Sequence, residues 1–204
     1  MKYYQAIEHA VNKLPKQVRL FLMRVMVLFI GWKILYLFIL IPAEVPDAWL
    51  VKQLGKGTAQ ALNFFYDTTD FTAQATTKKK IYGTELVNVT FSHVKWGKKK
   101  LIGIYQACNG LELLILYAGF ILAFSGSWQT NMLFITGGIS ILFLINILRL
   151  VMLGIISIEY PAHFQFAHKY LFNMIVYAIT FLLWMGYVKV KHRKEINHSM
   201  NNHD

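Results

Sequence analysis

The chain has a single cysteine, Cys108, among its 204 residues. One cysteine cannot form an internal disulfide, a Cys-x-x-Cys redox pair or a thiolate metal cluster. This excludes the disulfide-generating membrane oxidoreductases, which pass electrons between cysteine pairs. Nothing in the sequence predicts a bound metal ion or another cofactor.

Three further patterns are missing. The basic residues do not form a stripe with interleaved aromatic residues, which argues against a nucleic-acid partner. There are no internal repeats and no apolar segments broken near their middle, as a transporter would usually show. The Ser-Gly-Ser at 125–127 lacks the Gly-x-Ser-Gly setting of a serine intramembrane protease.

Apolar residues, by contrast, are abundant. The chain is 56% hydrophobic and 15% aromatic, and its mean hydropathy is +0.42. Such a composition is too apolar for an ordinary soluble domain and predicts an integral membrane protein. The net charge of +11 comes from lysines and arginines at the ends of apolar runs and in polar loops. This placement predicts membrane lipids as partners and sets the topology.

Four stretches approach the roughly 20 residues that are needed to cross about 30 Å of hydrocarbon. They are residues 20–42, 104–125, 132–158 and 170–188. The first stretch is too long and too interrupted for a cleaved signal peptide, and no Ala-x-Ala site follows it. The predicted fold is therefore an all-α integral membrane protein of about four transmembrane helices, with a small α/β elaboration in its outer loop.

The distribution of lysine and arginine predicts the orientation. The N-terminal segment 1–19 and the tail 189–204 are both basic, and four spans place both ends on one side, so both are expected in the cytoplasm. The connection 43–103 is then extracytoplasmic, although it carries six lysines in two runs at 78–80 and 98–100. Long loops translocate largely regardless of their charge.

The outer loop has two predicted parts. Residues 47–66 place Trp49, Leu54, Leu62 and Phe65 at helical spacing, which predicts an amphipathic helix at the membrane interface. The β-branched alternation at 81–102 predicts a hairpin or two short strands. The Thr-Thr-Lys-Lys-Lys run at 76–80 is expected to be a solvated turn between them.

The topology brings three reactive residues to one side of the membrane. Cys108 falls in the first turn of the second predicted helix, and His168 precedes the fourth, so both lie at the outer side. Arg149 comes about 17 residues into the third helix, which is roughly 25 Å along its axis. Cys108, Arg149 and His168 are therefore predicted to converge at the outer face.

Each of these residues also has a plainer interpretation. Cys108 could be a packing residue, which is the commoner role of a lone cysteine in an apolar helix. Arg149 could reach from its helix end to the headgroups, and a histidine at an interface, His163 or His168, is unremarkable. Lys33 is a further intramembrane charge that could contact substrate, pair with an acid or extend to the interface.

Together the residues could carry out acyl transfer. A Cys108 thiolate would attack a peptide carbonyl, and His168 would take the thiol proton and return it to the leaving amine. Arg149 would bind the developing oxyanion or the substrate's carbonyl groups. Helical spacing suggests that Asn146 orients Arg149 or adds a donor, and that Glu112 holds Arg149 or balances the charge.

Three motifs occur in order along the chain: Ala-Cys-Asn-Gly, then Asn-Ile-Leu-Arg, then a histidine in Phe-Ala-His-Lys-Tyr-Leu-Phe before the last helix. In this order they resemble the exosortase/archaeosortase family of membrane-embedded cysteine peptidases and transpeptidases. The resemblance implies Cys108 as nucleophile, Arg149 as its cationic partner and His168 as the third member, with His163 as the alternative. Asn109 stands where a serine is common in the family, and either residue can donate a hydrogen bond.

The resemblance covers roughly residues 100–188. The three predicted helices within 104–188 would form the catalytic core. Because many bacterial members have about eight helices, this chain would be a compact form of the family. The resemblance implies exported substrates that end in a short motif, an apolar helix and a basic tail. The enzyme would cleave before that helix, at the outer face of a bacterial inner membrane. In some members the freed carboxyl end is transferred to a cell-surface acceptor.

The competing hypothesis is a non-enzymatic membrane assembly or scaffold subunit. In that case Cys108 is inert and the charged residues serve helix pairing. Thiol reactivity discriminates the two hypotheses, because a nucleophile must be ionisable and accessible from outside. The sequence predicts no particular oligomeric state.

Overall fold

A computed structural model describes residues 15–36, 38, 46–82, 85–124 and 127–201, except the side chains of 17, 80–82, 85–87, 107 and 194–201. Most of the predicted basic N-terminus, the end of the first predicted span and part of the basic tail lie outside these residues.

The described chain is mostly helical. Its helices are α1 (Lys16–Leu35), α2 (Asp47–Tyr66), α3 (Leu111–Ala123), α4 (Trp128–Glu159) and α5 (Phe172–Asn201). Tight helical turns over residues 161–171 join α4 to α5 without an extended connection. The strands are β1 (Phe71–Tyr82), β2 (Glu85–Trp96) and β3 (Lys99–Ile104).

Two described helical segments are long and apolar enough to cross a membrane. They are α4, with 32 residues, and the continuous helical run Pro161–Arg193, with 33 residues. These segments contain the third and fourth predicted spans. Helix α3 is apolar but has only 13 residues, about 20 Å at 1.5 Å per residue. Arg19, Arg24 and Lys33 interrupt α1, so a total of four spans stays a prediction.

The four helices α1, α3, α4 and α5 pack around one apolar cluster. Tyr117 of α3 is fully buried against Gly138 of α4, and its hydroxyl donates to the Phe134 carbonyl at 2.9 Å. The Trp184 indole of α5 donates to the Tyr117 carbonyl at 3.4 Å. Phe21 of α1 contacts α3 through its ring. Interdigitated side chains from all four helices therefore form one bundle.

A second core joins α2 and the three strands to the C-terminal part of α4. The three strands form an antiparallel sheet in the order β1-β2-β3. Helix α2 packs between this sheet and α4 through buried aliphatic side chains, including Val51, Leu54, Leu62, Val94, Leu150 and Leu153. The sheet and α2 thus extend the bundle beyond Arg149.

The sheet is larger than expected, and the predicted turn at 76–80 is wrong. These residues belong to β1, where Lys78 pairs with Val89. The hydroxyl groups of Thr77 and Thr90 lie 3.0 Å apart across the two strands. β-Branched threonines suit a pleated strand, and pairing with β2 keeps the lysine run extended.

The predicted helix at 47–66 is confirmed as α2, and part of its predicted apolar face is buried. Leu50, Leu54 and Leu62 are buried, whereas Trp49 and Phe65 are 60% and 68% exposed. The buried face packs on the sheet and on α4. Placement of α2 at the membrane interface stays a prediction.

The predicted start of the second span at residue 104 is also wrong. Ile104 ends β3, where it pairs with Ser92, and the chain then makes a 3-10 turn at Gln106–Cys108. Helix α3 begins only at Leu111, because Gly110 has a φ of +78°, a left-handed conformation that interrupts helical propagation. Cys108 therefore lies in the turn before α3 and not in its first turn.

Candidate active site

Hydrogen bonds fix the turn that carries Cys108. The Cys108 amide donates to the Tyr105 carbonyl at 2.9 Å. The Asn109 side-chain oxygen accepts a hydrogen bond of 2.9 Å from the Leu111 amide, which caps the first turn of α3. Gly110 supplies the left-handed conformation between them. The cysteine is thus positioned by a rigid connection between β3 and α3.

Side chains from distant elements hold Asn109. Asp47, at the start of α2, is fully buried and accepts hydrogen bonds from the Asn109 amide group and, at 2.8 Å, from the Tyr36 hydroxyl. On the other side, the Asn146 amide group of α4 donates to the Asn109 carbonyl at 2.8 Å. A Cβ at Gly110 would lie only 2.8 Å from Asn146 Nδ2. The turn is therefore clamped between α2 and α4.

His168 lies beside the thiol. The distance from Cys108 Sγ to His168 Nε2 is 3.8 Å. His168 belongs to the π-helical turn Ala167–Leu171, and its ring stacks parallel to Phe164 with centroids 6.0 Å apart. The tight turns before α5 therefore orient the imidazole toward the cysteine.

Arg149 lies on α4 and lines the same space as Cys108 and His168. Its Nε atom is buried and has no hydrogen-bond partner within the described part of the chain. A buried donor without a partner is unfavourable by about 1–3 kcal/mol. Such a donor is suited to donate a hydrogen bond to a ligand oxygen.

Two cavities flank these three residues and share Lys169 as a fourth lining residue. One, of about 300 Å³, opens into the helical bundle and is also lined by Leu113, Leu142 and Tyr177. The other, of about 370 Å³, lies toward the sheet and is also lined by Gly103, Tyr105, Leu153 and Phe164. A substrate could approach the thiol from either side.

Of the two supporting roles suggested for Glu112 and for Asn146, the contact with Arg149 needs correction. Glu112 does not hold Arg149; it forms an ion pair of 2.6 Å with Lys33. Acid pairing is therefore the contact that Lys33 makes. Asn146 contacts the Asn109 carbonyl and does not show the predicted contact with Arg149. Spacing within one helix cannot identify a partner on another helix.

The two candidate histidines lie in different surroundings. His163 is exposed in the 3-10 turn Pro161–His163 and does not line either cavity next to Cys108. His168 does line both cavities. The geometry thus places His168, and not His163, within reach of the thiol.

Sequence reasoning missed Asp47, Tyr36, Tyr105 and Lys169. Asp47 contacts Asn109 across 62 positions in the chain, and no local pattern predicts such a contact. An aspartate at a helix start is ordinarily interpreted as favourable to the helix dipole. In the described residues, no group of three or more His, Cys, Asp or Glu side chains is placed to hold a metal ion.

Comparison with known proteins identifies the family. No curated protein and no solved structure matches the chain. The family model for transmembrane exosortases matches residues 18–186, which include most of α1, all of α2 and the sheet, and the positions of Cys108, Arg149 and His168. The chain therefore belongs to the transmembrane exosortase family.

Proposed function

We propose that this exosortase is a cysteine peptidase or transpeptidase that cleaves the C-terminal sorting signals of exported proteins through a thioacyl intermediate. The observation that carries the proposal is the meeting of Cys108, His168 and Arg149 at one pair of cavities, with 3.8 Å between Cys108 Sγ and His168 Nε2. Each residue alone has a structural explanation. A thiol, a base and a cation together form the set that acyl transfer requires.

In the proposed first step, His168 Nε2 takes the thiol proton while Cys108 Sγ attacks the substrate carbonyl carbon. A carbon–sulfur bond forms, and negative charge develops on the carbonyl oxygen. His168 then gives its proton to the leaving amine as the carbon–nitrogen bond breaks. The product of this step is a thioester on Cys108, which water or an acceptor nucleophile resolves.

Arg149 is proposed to stabilise the oxyanion. Its unpartnered Nε is buried, so a hydrogen bond to a developing charge would replace no existing protein contact. A preorganised donor of this kind is worth about 2.7–4 kcal/mol of transition-state stabilisation. The Asp47–Asn109–Asn146 contacts keep Cys108 from moving away from this donor.

The proposed substrates end in a short motif, an apolar helix and a basic tail. The cavity on the bundle side is bordered by apolar residues of α3, α4 and α5, as an entry for an apolar segment would require. The proposed location is the outer face of a bacterial inner membrane, with both termini in the cytoplasm.

Thiol labelling in intact spheroplasts tests the proposal. A membrane-impermeant maleimide is applied to the wild type, Arg149→Ala and His168→Ala, and the labelling rate of Cys108 is measured from pH 5.5 to 9. We expect fast labelling of the wild type at neutral pH and labelling at least tenfold slower in both variants. A model substrate with an apolar C-terminal helix should be cleaved only by the wild type.

Matched controls separate these effects from general damage. His163→Ala removes an exposed histidine that lines neither cavity, and Arg193→Ala removes an exposed arginine of α5. Both should label and cleave as the wild type does. Equal labelling rates in Arg149→Ala, His168→Ala and the wild type would refute the proposed triad and favour a scaffold subunit.

A further inference from the structure

The outward side of the sheet has a different chemistry from the side that packs on α2. Ser92 lies against Gly55 of α2, and its neighbour Val94 is fully buried. Because side chains alternate along a strand, Phe91, His93 and Lys95 of β2 belong to the opposite side. We call this side, with Lys78, Lys100 and Tyr105, the basic face.

Three rings form the floor of the basic face. The Phe91 and Tyr105 rings stack with centroids 5.7 Å apart, and His93 contacts Phe91 edge-on at 5.1 Å. The Tyr105 ring lies directly over Gly103, where a Cβ would be only 2.8 Å from a ring carbon. The glycine therefore permits Tyr105 to fold back over the sheet. Tyr105 remains 50% exposed and can contact a ligand.

Three lysines surround these rings. The Lys78 ammonium lies 5.6 Å from the Phe91 centroid, and Lys95 pairs with Lys100 in the β2–β3 register. Burial lowers the pKa of His93, and Lys100, Lys95 and Lys78 lower it further through charge repulsion. With Lys78 beside Phe91 and the Lys95–Lys100 pair next to His93 along the strands, the three lysines lie around the same ring cluster.

The lysines lack acidic partners in the part of the chain that the structure describes. The ion pair found there joins Lys33 to Glu112, at a different site. Lys95 donates a hydrogen bond to the uncharged Gln74 side chain. Three like charges around these rings repel one another, and a bound anion would relieve this repulsion.

The basic face continues into the candidate active site. Tyr105 and Gly103 line the sheet-side cavity together with Cys108, Arg149 and Lys169. A ligand held over Tyr105 by the lysines could therefore extend a nucleophilic group toward Cys108. The bundle-side cavity remains available for the apolar segment of the substrate.

We propose that the basic face binds the acyl acceptor, a water-soluble amine or alcohol that carries a phosphate group. This inference rests on the proposed function. The acceptor nitrogen or oxygen attacks the thioester carbon, a carbon–nitrogen or carbon–oxygen bond forms, and the carbon–sulfur bond breaks. The proton of the nucleophile passes through His168 to the Cys108 sulfur, which restores the thiol.

Binding can be measured without any chemistry at Cys108. In purified full-length Cys108→Ala protein, NMR measures the pKa of His93 in the presence of O-phosphoethanolamine. Ethanolamine, which lacks the phosphate group, is the control. His93→Gln identifies the signal. A phosphate among the lysines should raise the pKa of His93 by about one unit or more, since an opposite charge opposes the repulsion. Ethanolamine should leave it unchanged.

Charge-neutralising variants connect the response to the basic face. In Lys95→Gln/Lys100→Gln the His93 pKa should start higher and no longer respond to O-phosphoethanolamine. The matched control Lys52→Gln/Lys56→Gln, on the exposed side of α2, should respond as the parent protein does. With active enzyme, the product should contain O-phosphoethanolamine at least tenfold more often than ethanolamine, and the double variant at 95 and 100 should lose this preference.

Failure of this inference can be distinguished from failure of the proposed function. An unresponsive His93 overturns the inference even when Cys108 labels and cleaves as proposed. A response only to phosphatidylglycerol vesicles would replace the soluble acceptor with a membrane contact. A response without incorporation by a cleaving enzyme would overturn the acceptor role. The spheroplast labelling separately decides whether Cys108 is an activated nucleophile.

Discussion

Replacing Asp47 by alanine tests whether a residue outside the helical core holds the cysteine turn. The Asp47 carboxylate accepts hydrogen bonds from Asn109 and Tyr36. Asn109 is only 2% exposed, so its amide group would be left buried without this acceptor. The penalty for such a group is about 1–3 kcal/mol, and loss of the Tyr36 bond adds about 1 kcal/mol. Asp47→Ala should therefore lower the free energy of unfolding by about 2–4 kcal/mol.

This loss is large enough to measure by circular dichroism during heating in detergent. For a chain of this size, 1 kcal/mol corresponds to about 2–4 °C in Tm, so the expected decrease is about 5–15 °C. Asp47→Asn retains one acceptor oxygen and should lose about half as much. Tyr36→Phe removes one bond from a half-buried hydroxyl and should lose least. Lys52→Ala, on the exposed side of the same helix, is the control.

Two results would refute this reasoning. A Tm for Asp47→Ala within 2 °C of the wild type would show that water or another donor-acceptor pair replaces the contact. A lower Tm with an unchanged labelling rate of Cys108 would show that Asp47 stabilises α2 without positioning the turn. We expect the labelling rate to change together with Tm, because Asn109 directly follows the cysteine.

Further variants test other contacts of the site and the sheet. Gly110→Ala should lower Tm, because left-handed backbone with a side chain costs about 1–2 kcal/mol and the new Cβ would lie 2.8 Å from Asn146 Nδ2. Lys33→Met should change the free energy of unfolding by about 1 kcal/mol or less, because its partner, the Glu112 side chain, is 74% exposed. A double-mutant cycle with Glu112→Gln measures the coupling between the two residues. The pKa of His93 is lowered in the folded protein, so the unfolded chain binds more protons than the folded one as the pH falls through about 6.5. The free energy of unfolding should therefore fall as the pH falls through this range. His93→Gln should reduce the slope of Tm against pH.

The parts of the site that could be predicted depend on distances along a single helix. Counting residues predicts Arg149 roughly 25 Å along its helix. The structure brings it to the same cavities as Cys108 and His168, although α4 continues beyond it to Glu159. Long apolar runs similarly predicted α4 and the helical run before and within α5. Such predictions work because the rise per residue is constant and because hydrophobic length is dictated by the membrane.

Contacts between elements were not predictable in this way. Glu112 lies one turn after Cys108, but its partner, Lys33, comes from a different helix. The lysines of β1 were interpreted as a turn because their extended conformation depends on pairing with β2. The start of α3 depends on Gly110, whose left-handed backbone is not evident from an apolar run. For Glu112 and for the lysines of β1, the deciding partner lies on another element.

Because of these distant contacts, two parts of the chain contribute residues to the site. The segment 104–188 contains Cys108, Arg149 and His168, which is why motif positions alone identify it. The alignment of these groups nevertheless depends on Asp47 and Tyr36, which precede that segment, and on β2, which pairs with the strand leading into the cysteine turn. Without them the Asn109 amide would be buried without an acceptor and β3 would lose its neighbour. Helix α2 and the sheet therefore contact the turn that carries Cys108 directly, consistent with a family match that extends back to residue 18.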